Sequence, residues 1–140
     1  MFEGLSEIPH FNPDLDTDNP PMNVSDFREQ LKQADGILIC TPEYAMGVPG
    51  SLKNAIDWTV SSMEFSHKPV ALITASTSGH KGHQSLMETL KIIEAEIPDT
   101  SHLVISHIKA KVQGNKIIHD DTLKQVKNVV DSLIGVIENK

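Results

Sequence analysis

Apolar residues along the chain follow two patterns, short continuous runs and longer stretches in which they recur every three or four residues. The continuous runs occupy residues 36–40, 70–74 and 103–105, each bounded by turn-forming residues. Runs this short are typical of strands buried on both faces of a sheet. The spaced pattern predicts four amphipathic helices. Their apolar positions are Val24, Phe27, Leu31 and Ala34; Leu52, Ala55, Ile56, Val60 and Met63; Leu86, Leu90, Ile93 and Ile97; and Leu123, Val126, Val130, Leu133 and Ile137.

The order of these elements predicts an α/β fold in a single domain covering residues 1–140. Helices alternate with strands, which favours a parallel sheet between two helical layers, with right-handed crossovers. Asn23 is expected to cap the first helix, Asp120 or Asp121 the last, and Pro98 to end the third. Residues 1–21 hold four prolines and are expected to form an irregular lead-in.

Two glycine-bearing loops follow the first two strands, at residues 41–51 and 75–82. Loops that leave neighbouring parallel strands lie side by side at the carboxyl edge of the sheet, where ligands bind. Their amides, the hydroxyls of residues 76–78 and the ring of Tyr44 suit a planar, partly anionic ligand such as a flavin. Neither loop carries a Walker sequence or a Gly-x-Gly-x-x-Gly fingerprint. On spacing alone, a rigid connection without a ligand is an equally good interpretation.

Several other reactive side chains have a structural interpretation that is favoured over a chemical one. Cys40, at the end of an apolar strand, is expected to be a packed and inert thiol. Trp58 is expected to pack in the core or a subunit contact, and His80 and His83 to be solvated rather than metal ligands. Glu43 is expected to accept hydrogen bonds from its own backbone rather than act as a general base.

The overall charge and the distribution of apolar residues exclude two classes of partner. The formal net charge is −7, with no basic stripe, which argues against binding to nucleic acid. No apolar run is long enough for a membrane span, and the N-terminus lacks a signal-peptide pattern. With one cysteine, which fits a reducing compartment, the chain is expected to be cytoplasmic.

Residues 34–44 and 48–58 closely resemble the NADPH-dependent FMN reductase family, which includes quinone, chromate, azo-dye and flavin reductases. The family hallmark is Thr-Pro-Glu-Tyr-Asn, a short variable piece, and Pro-Gly-x-Leu-Lys-Asn-Ala-Ile-Asp. The similarity runs from about Ile8 to the C-terminus. It implies a flavodoxin-like three-layer fold with a parallel sheet. It also implies an NAD(P)H-dependent FMN oxidoreductase.

The resemblance further implies that FMN lies along the edge where the two loops meet. NADPH or NADH would give a hydride to the flavin and leave before a quinone-like acceptor binds, in ping-pong fashion, with no catalytic side chain and no metal. A homodimer or homotetramer is expected. The cofactor-binding residues implied are Pro42, Glu43, Tyr44, Ala45, Ser76, Gly79 and Gly82.

The sequence departs from the family pattern in two places. Ala45 stands where the family usually has Asn. The family's first strand, phosphate loop, first helix and second strand have no counterpart here, so we expect an N-terminally truncated domain. Residues 36–40 would then form an apolar sheet edge, which either a longer native chain or another chain would cover. The alternative function is a flavin-free remnant that keeps the fold and a subunit interface. A flavodoxin-like electron carrier is disfavoured by the hallmark.

Overall fold

A three-stranded parallel sheet forms the centre of the computed structural model, which describes residues 1–139. Its strands are β1 (Ile37–Thr41), β2 (Val70–Ala75) and β3 (His102–Ile105), in the spatial order β1-β2-β3. Ile39 pairs with Leu72, which in turn pairs with His102. Because the strands are parallel, the loops that follow them leave from one edge of the sheet.

Helices cover both faces of this sheet, which confirms the predicted three-layer α/β fold. They are α1 (Met22–Gln33), α2 (Gly50–Asp57), α3 (His80–Ile92) and α4 (Asp120–Glu138). Ile39 and Leu72 pack against α2 and α3 on one face, in a cluster with Ile56 and Leu90. Ala71 and Ile73 pack against α4 on the other face. Because side chains alternate along β2, they pack into two separate hydrophobic cores, one on each face of the sheet.

Residues Asn54 and Trp58, in the Leu-Lys-Asn-Ala-Ile-Asp-Trp stretch at the end of α2, bind the N-terminal segment, so this stretch has a structural role. The Asn54 side chain accepts from the Phe11 amide at 2.8 Å and donates to the Pro9 carbonyl at 3.0 Å. Trp58 Nε1 donates to the same carbonyl at 2.8 Å, and the Trp58 side chain is fully buried beside Phe27. The prediction that Trp58 is a packing residue is confirmed.

Three helix boundaries differ from those predicted. Pro21, not Asn23, precedes α1, and the Asn23 side chain donates to the Glu7 carbonyl instead. The cap of α4 is His119, whose Nδ1 accepts from the Thr122 amide, so neither aspartate is the cap. Helix α3 ends at Ile92, well before Pro98, and Glu94 has a φ of +64°. Side-chain capping and a left-handed residue thus determine boundaries that apolar spacing does not reveal.

The second predicted helix is also shorter than expected. Helix α2 ends at Asp57, and Val60 and Met63 are 54% and 59% exposed rather than part of its apolar face. Met63 lies in a run of turns with a φ of +62°. After β3, a 3-10 turn (Ile108–Ala110) leads into a hairpin, the predicted short β extension. Its strands are β4 (Val112–Gln113) and β5 (Lys116–Ile117).

One long edge of the sheet is open at β1, as the missing-strand argument predicts. Within residues 1–139, β1 pairs only with β2, and Leu38 is 47% exposed. The expectation that β1 is buried on both faces is therefore wrong. The expectation that Cys40 is a packed thiol is also wrong, because Cys40 is exposed. Partial burial still raises the pKa of the Cys40 thiol, which keeps it protonated. An apolar groove of about 440 Å³ runs beside this edge.

Among the helices of the described chain, none combines the length and the apolar character needed to cross a lipid bilayer.

Candidate functional site

Two loops at the carboxyl edge of the sheet form the candidate site. We call residues 42–49, after β1, the first rim loop, and residues 76–79, after β2, the second rim loop. The Ser76 hydroxyl lies 3.5 Å from the Glu43 carbonyl oxygen, at the limit of a hydrogen bond. Closer contacts come from the Glu43 side chain, which reaches Gly79 and the first turn of α3. The prediction that the two loops lie side by side is confirmed.

The carboxylate of Glu43 caps helix α3 from the neighbouring loop. Oε1 accepts from the Gly79 amide at 3.1 Å, and Oε2 accepts from the Gly82 amide at 2.7 Å. Gly79 is the residue that precedes α3 and has no capping side chain of its own. Glu43 therefore takes the position that Ser, Thr or Asp usually occupies at a helix start. The expectation that Glu43 bonds to its own backbone is wrong, because its partners belong to the next segment.

These hydrogen bonds fix the protonation state of Glu43. The bond from the Gly82 amide is the largest cause that holds the pKa of Glu43 below its ordinary value of 4.5, although burial opposes it. Glu43 is thus ionised at neutral pH and cannot donate a proton there. Its negative charge also offsets the positive end of α3, so the amides that begin this helix do not form a phosphate site.

The first rim loop contains a tight two-residue turn. The Tyr44 amide donates to the Gly47 carbonyl at 2.9 Å, and the Gly47 amide donates to the Tyr44 carbonyl at 2.8 Å. Between them, Ala45 and Met46 have φ values of +49° and +63°, a left-handed pair that favours Asn and Gly. The turn leaves Tyr44 64% exposed and Met46 73% exposed at the rim.

The rim offers hydrogen-bond donors that the protein itself does not use. The backbone amides of Glu43, Thr77 and Ser78 donate to no acceptor within residues 1–139. Thr77 and Ser78 are exposed on the second rim loop, and Tyr44 is exposed on the first rim loop. Unused amides together with an aromatic surface fit the ring of a flavin, which presents carbonyl oxygens and ring nitrogens to such donors. The residues present therefore fit the ring of FMN.

The predicted cofactor residues are brought together, and two of the glycines have a further role that the sequence did not reveal. A Cβ on Gly82 would lie 2.8 Å from the Gly47 carbonyl oxygen. Gly79 has a φ of +92°, and a Cβ there would lie 3.1 Å from Val104. Both glycines are therefore required for the close packing of the rim. Whether they also contact a cofactor stays a prediction, as it does for Pro42, Tyr44, Ala45 and Ser76.

Two histidines, the buried His83 in the first turn of α3 and the half-buried His102 in β3, lie side by side. His83 is only 7% exposed, with Nδ1 2.9 Å from Thr74 Oγ1 and Nε2 3.1 Å from His102 Nδ1. Burial, together with the nearby His102 and His80, lowers the pKa of His83 to about 4. His80 is exposed, as expected, but the prediction that His83 is solvated is wrong.

The sequence does contain a signal that could have located this pair. Position 83 falls three residues before Leu86 and seven before Leu90, on the apolar face of α3. His102, to which the sequence assigned no role, opens β3. No group of three or more His, Cys, Asp or Glu side chains converges as a metal site in the described part of the chain.

Comparisons with known proteins agree with this geometry. The family described as NADPH-dependent FMN reductase matches residues 2–110. The chain is 33% identical over 127 residues to a quinone reductase of Escherichia coli K12, covering 85% of this chain and 68% of that protein. It is 29% identical over 146 residues to a 2-hydroxy-1,4-benzoquinone reductase of a Burkholderia species, covering 99% and 79%.

A solved structure gives the same result for the fold. The NAD(P)H:(acceptor) oxidoreductase flavoenzyme FerB of Paracoccus denitrificans superposes with a TM-score of 0.80 at 26% identity. The superposition covers 96% of this chain and 78% of that one. The flavodoxin-like arrangement predicted from the resemblance is therefore confirmed. From the family match and these similarities, the chain belongs to the NADPH-dependent FMN reductase family, and it is an oxidoreductase of the FMN- and NAD(P)H-dependent class.

Proposed function

We propose that this protein binds the ring of FMN between the two rim loops and passes electrons from NAD(P)H to quinone-like acceptors. The observation that carries the proposal is the set of unused amides at Glu43, Thr77 and Ser78, on two rim loops that meet through Glu43 and of which the first also exposes Tyr44. Quinones are named as the substrates of two of the similar proteins, from Escherichia coli and Burkholderia. When bound, FMN supplies two-electron chemistry, accepting a hydride from the nicotinamide and reducing a quinone to a hydroquinone.

The residues of the chain position the ring rather than react. Pro42, Tyr44 and Ala45 border it from the first rim loop, and Ser76 and Gly79 from the second, with Gly82 behind them in α3. Backbone hydrogen bonds to the ring would come from the amides of Glu43, Thr77 and Ser78, which have no acceptor within residues 1–139. Glu43 contributes its amide, because its carboxylate is already bound to the second rim loop and to α3.

No side chain of this site supplies or removes a proton in the proposed reaction. The pKa of Glu43 lies below its ordinary range, so it is not a general acid at neutral pH. His83 is neutral at pH 7, but it lies on the buried face of α3 and bonds to Thr74 and His102 of the sheet. Protons needed by the reduced quinone therefore come from water, and activity should show no steep dependence on pH between 6 and 8.

The nicotinamide would leave before the acceptor binds, so we expect ping-pong kinetics. Initial rates measured at several fixed quinone concentrations, with NADPH varied, should give parallel double-reciprocal lines. Intersecting lines would show that both substrates bind together and would contradict this order. The same proposal includes a cytoplasmic location and a homodimer or homotetramer, and the assembly can be measured by light scattering after gel filtration.

The flavin-free alternative has one observation in its favour, the open edge at β1 and the apolar groove beside it. In that case the chain would keep its fold and a subunit interface but would bind no flavin. A colourless protein whose melting temperature does not respond to FMN would support that alternative, because a ligand that binds only the folded state raises its stability.

A further inference from the structure

A single carboxylate joins the two rim loops, and this carboxylate belongs to Glu43. Its two oxygens accept from the Gly79 and Gly82 amides at 3.1 and 2.7 Å. Glu43 follows β1 directly, whereas Gly79 and Gly82 follow β2, 36 and 39 residues further along the chain. The bonds therefore connect two segments that lie far apart in the sequence.

The backbone around this carboxylate leaves little freedom for another arrangement. A Cβ on Gly82 would lie 2.8 Å from the Gly47 carbonyl oxygen and 3.1 Å from Glu43 Cγ. The start of α3 thus rests directly on the backbone of the first rim loop. Gly79 is buried and has a φ of +92°, a conformation that few other residues adopt. The distance between the loops is fixed by backbone contact, and the carboxylate holds that contact closed.

The other interpretations of Glu43 do not agree with this geometry. A general base would need a free oxygen facing the open rim, but both oxygens accept amide hydrogens from the neighbouring segment. A cap supplied by the helix's own segment is excluded as well, because Gly79 has no side chain and its φ of +92° does not suit a Ser or Asp. The charged and titratable group that faces Glu43 from α3 is His80.

We propose that Glu43 is a positioning residue, which clamps the second rim loop and α3 to the first rim loop and so sets the gap that receives the flavin ring. The inference rests on the proposed function, because the gap matters only if the ring lies there. Glu43 is the acid of the family hallmark. In this proposal its side chain acts by binding the amides of Gly79 and Gly82, and it does not contact the substrate.

The test uses Glu43→Ala, with Glu43→Gln as the conservative variant, and two measurements on the same proteins. The first is amide hydrogen exchange at Gly79 and Gly82 without FMN. The second is the dissociation constant for FMN, from quenching of flavin fluorescence. Glu43→Ala should speed exchange at both amides about tenfold or more and weaken FMN binding about tenfold, since lost charge-assisted bonds release both groups. Glu43→Gln keeps one carbonyl oxygen and should recover part of both effects.

Glu88→Ala is the matched control, because Glu88 lies on α3, is exposed, and accepts a hydrogen bond from Gln84 of the same helix. It should change neither measurement. Unchanged exchange at both glycine amides in Glu43→Ala would overturn the clamp. Faster exchange with unchanged FMN affinity would overturn the positioning role. Wild-type protein that does not bind FMN would overturn the proposed function as well, whereas normal wild-type binding with an unaffected Glu43→Ala would overturn this inference alone.

Discussion

The buried His83 predicts that the protein loses stability in mild acid. In the folded state the pKa of His83 is lowered to about 4, from an ordinary value of 6.5, chiefly by burial. Between those two values the unfolded chain binds a proton that the folded chain does not, so the free energy of unfolding falls as pH falls. The contribution of uncharged His83 to the free energy of unfolding is complete above about pH 6.5 and is lost as the pH falls towards about 4.

The size of the effect follows from the two pKa values. Each unit of difference corresponds to about 1.4 kcal/mol, which gives about 3 kcal/mol in total and about 2 kcal/mol between pH 7 and pH 5. Glu43 and Asp16 have pKa values below 4.5 and 3.8, so they lose their charges at lower pH than this interval. The interval from pH 7 to pH 5 therefore isolates the titration of His83 from those two carboxylates.

Urea denaturation of the wild type, followed by circular dichroism at pH 7 and pH 5, measures the loss directly. His83→Gln removes the titrating ring and should abolish most of it, although the variant will be less stable at pH 7 because it loses a buried bond to Thr74. His10→Gln is the control, since His10 is exposed, and should keep the wild-type loss. An equal loss in His83→Gln and the wild type would refute the reasoning, as would a wild type equally stable at both pH values.

Three further predictions concern the backbone of the site and of the N-terminal segment. Asn54→Ala removes the hydrogen bonds of the Asn54 side chain with the Phe11 amide and the Pro9 carbonyl, and a longer one to the Ile8 carbonyl at 3.5 Å. It should lower the free energy of unfolding by about 1–2 kcal/mol, more than Asn23→Ala, which removes one exposed bond; equal effects in urea denaturation would contradict this. Ala45→Asn should raise stability by about 0.5–1 kcal/mol, because Asn tolerates the φ of +49° better than Ala; a lower melting temperature would count against the strained turn. Gly82→Ala should cost about 1–3 kcal/mol and weaken FMN binding, since the new Cβ meets a carbonyl oxygen at 2.8 Å. Gly135→Ala, in a helix with open space around it, should instead gain about 1 kcal/mol, and a gain in both glycine variants would refute the packing argument.

The sequence predicted the fold well because its apolar pattern and its hallmark are both long. The three runs at residues 36–40, 70–74 and 103–105 correspond to β1, β2 and β3, and the loops that follow the first two meet at one rim. Helix ends were predicted less well. The ends depend on single residues, such as the His119 cap and the left-handed Glu94, which apolar spacing does not register.

The chemistry of the site was harder to predict than its location. The sequence identifies Glu43 as an acid in a loop, but its partners lie 36 and 39 residues further along the chain. Only the folded structure brings them into contact. The same is true of His83 and His102, which are 19 residues apart and meet across α3 and β3. Local sequence patterns predict individual helices and strands, whereas the contacts between them can be predicted only when the order of strands in the sheet is known.

The central claim is that FMN on this rim carries electrons from NAD(P)H, and one anaerobic spectrum tests it most directly. Protein incubated with FMN and passed through a desalting column should keep a flavin absorption band. NADPH should bleach that band, and a benzoquinone added afterwards should restore it. Bound FMN at a hundred times its dissociation constant should also stabilise the protein by about 2.7 kcal/mol. A colourless eluate, or a bound flavin that NADPH does not bleach, would contradict the account.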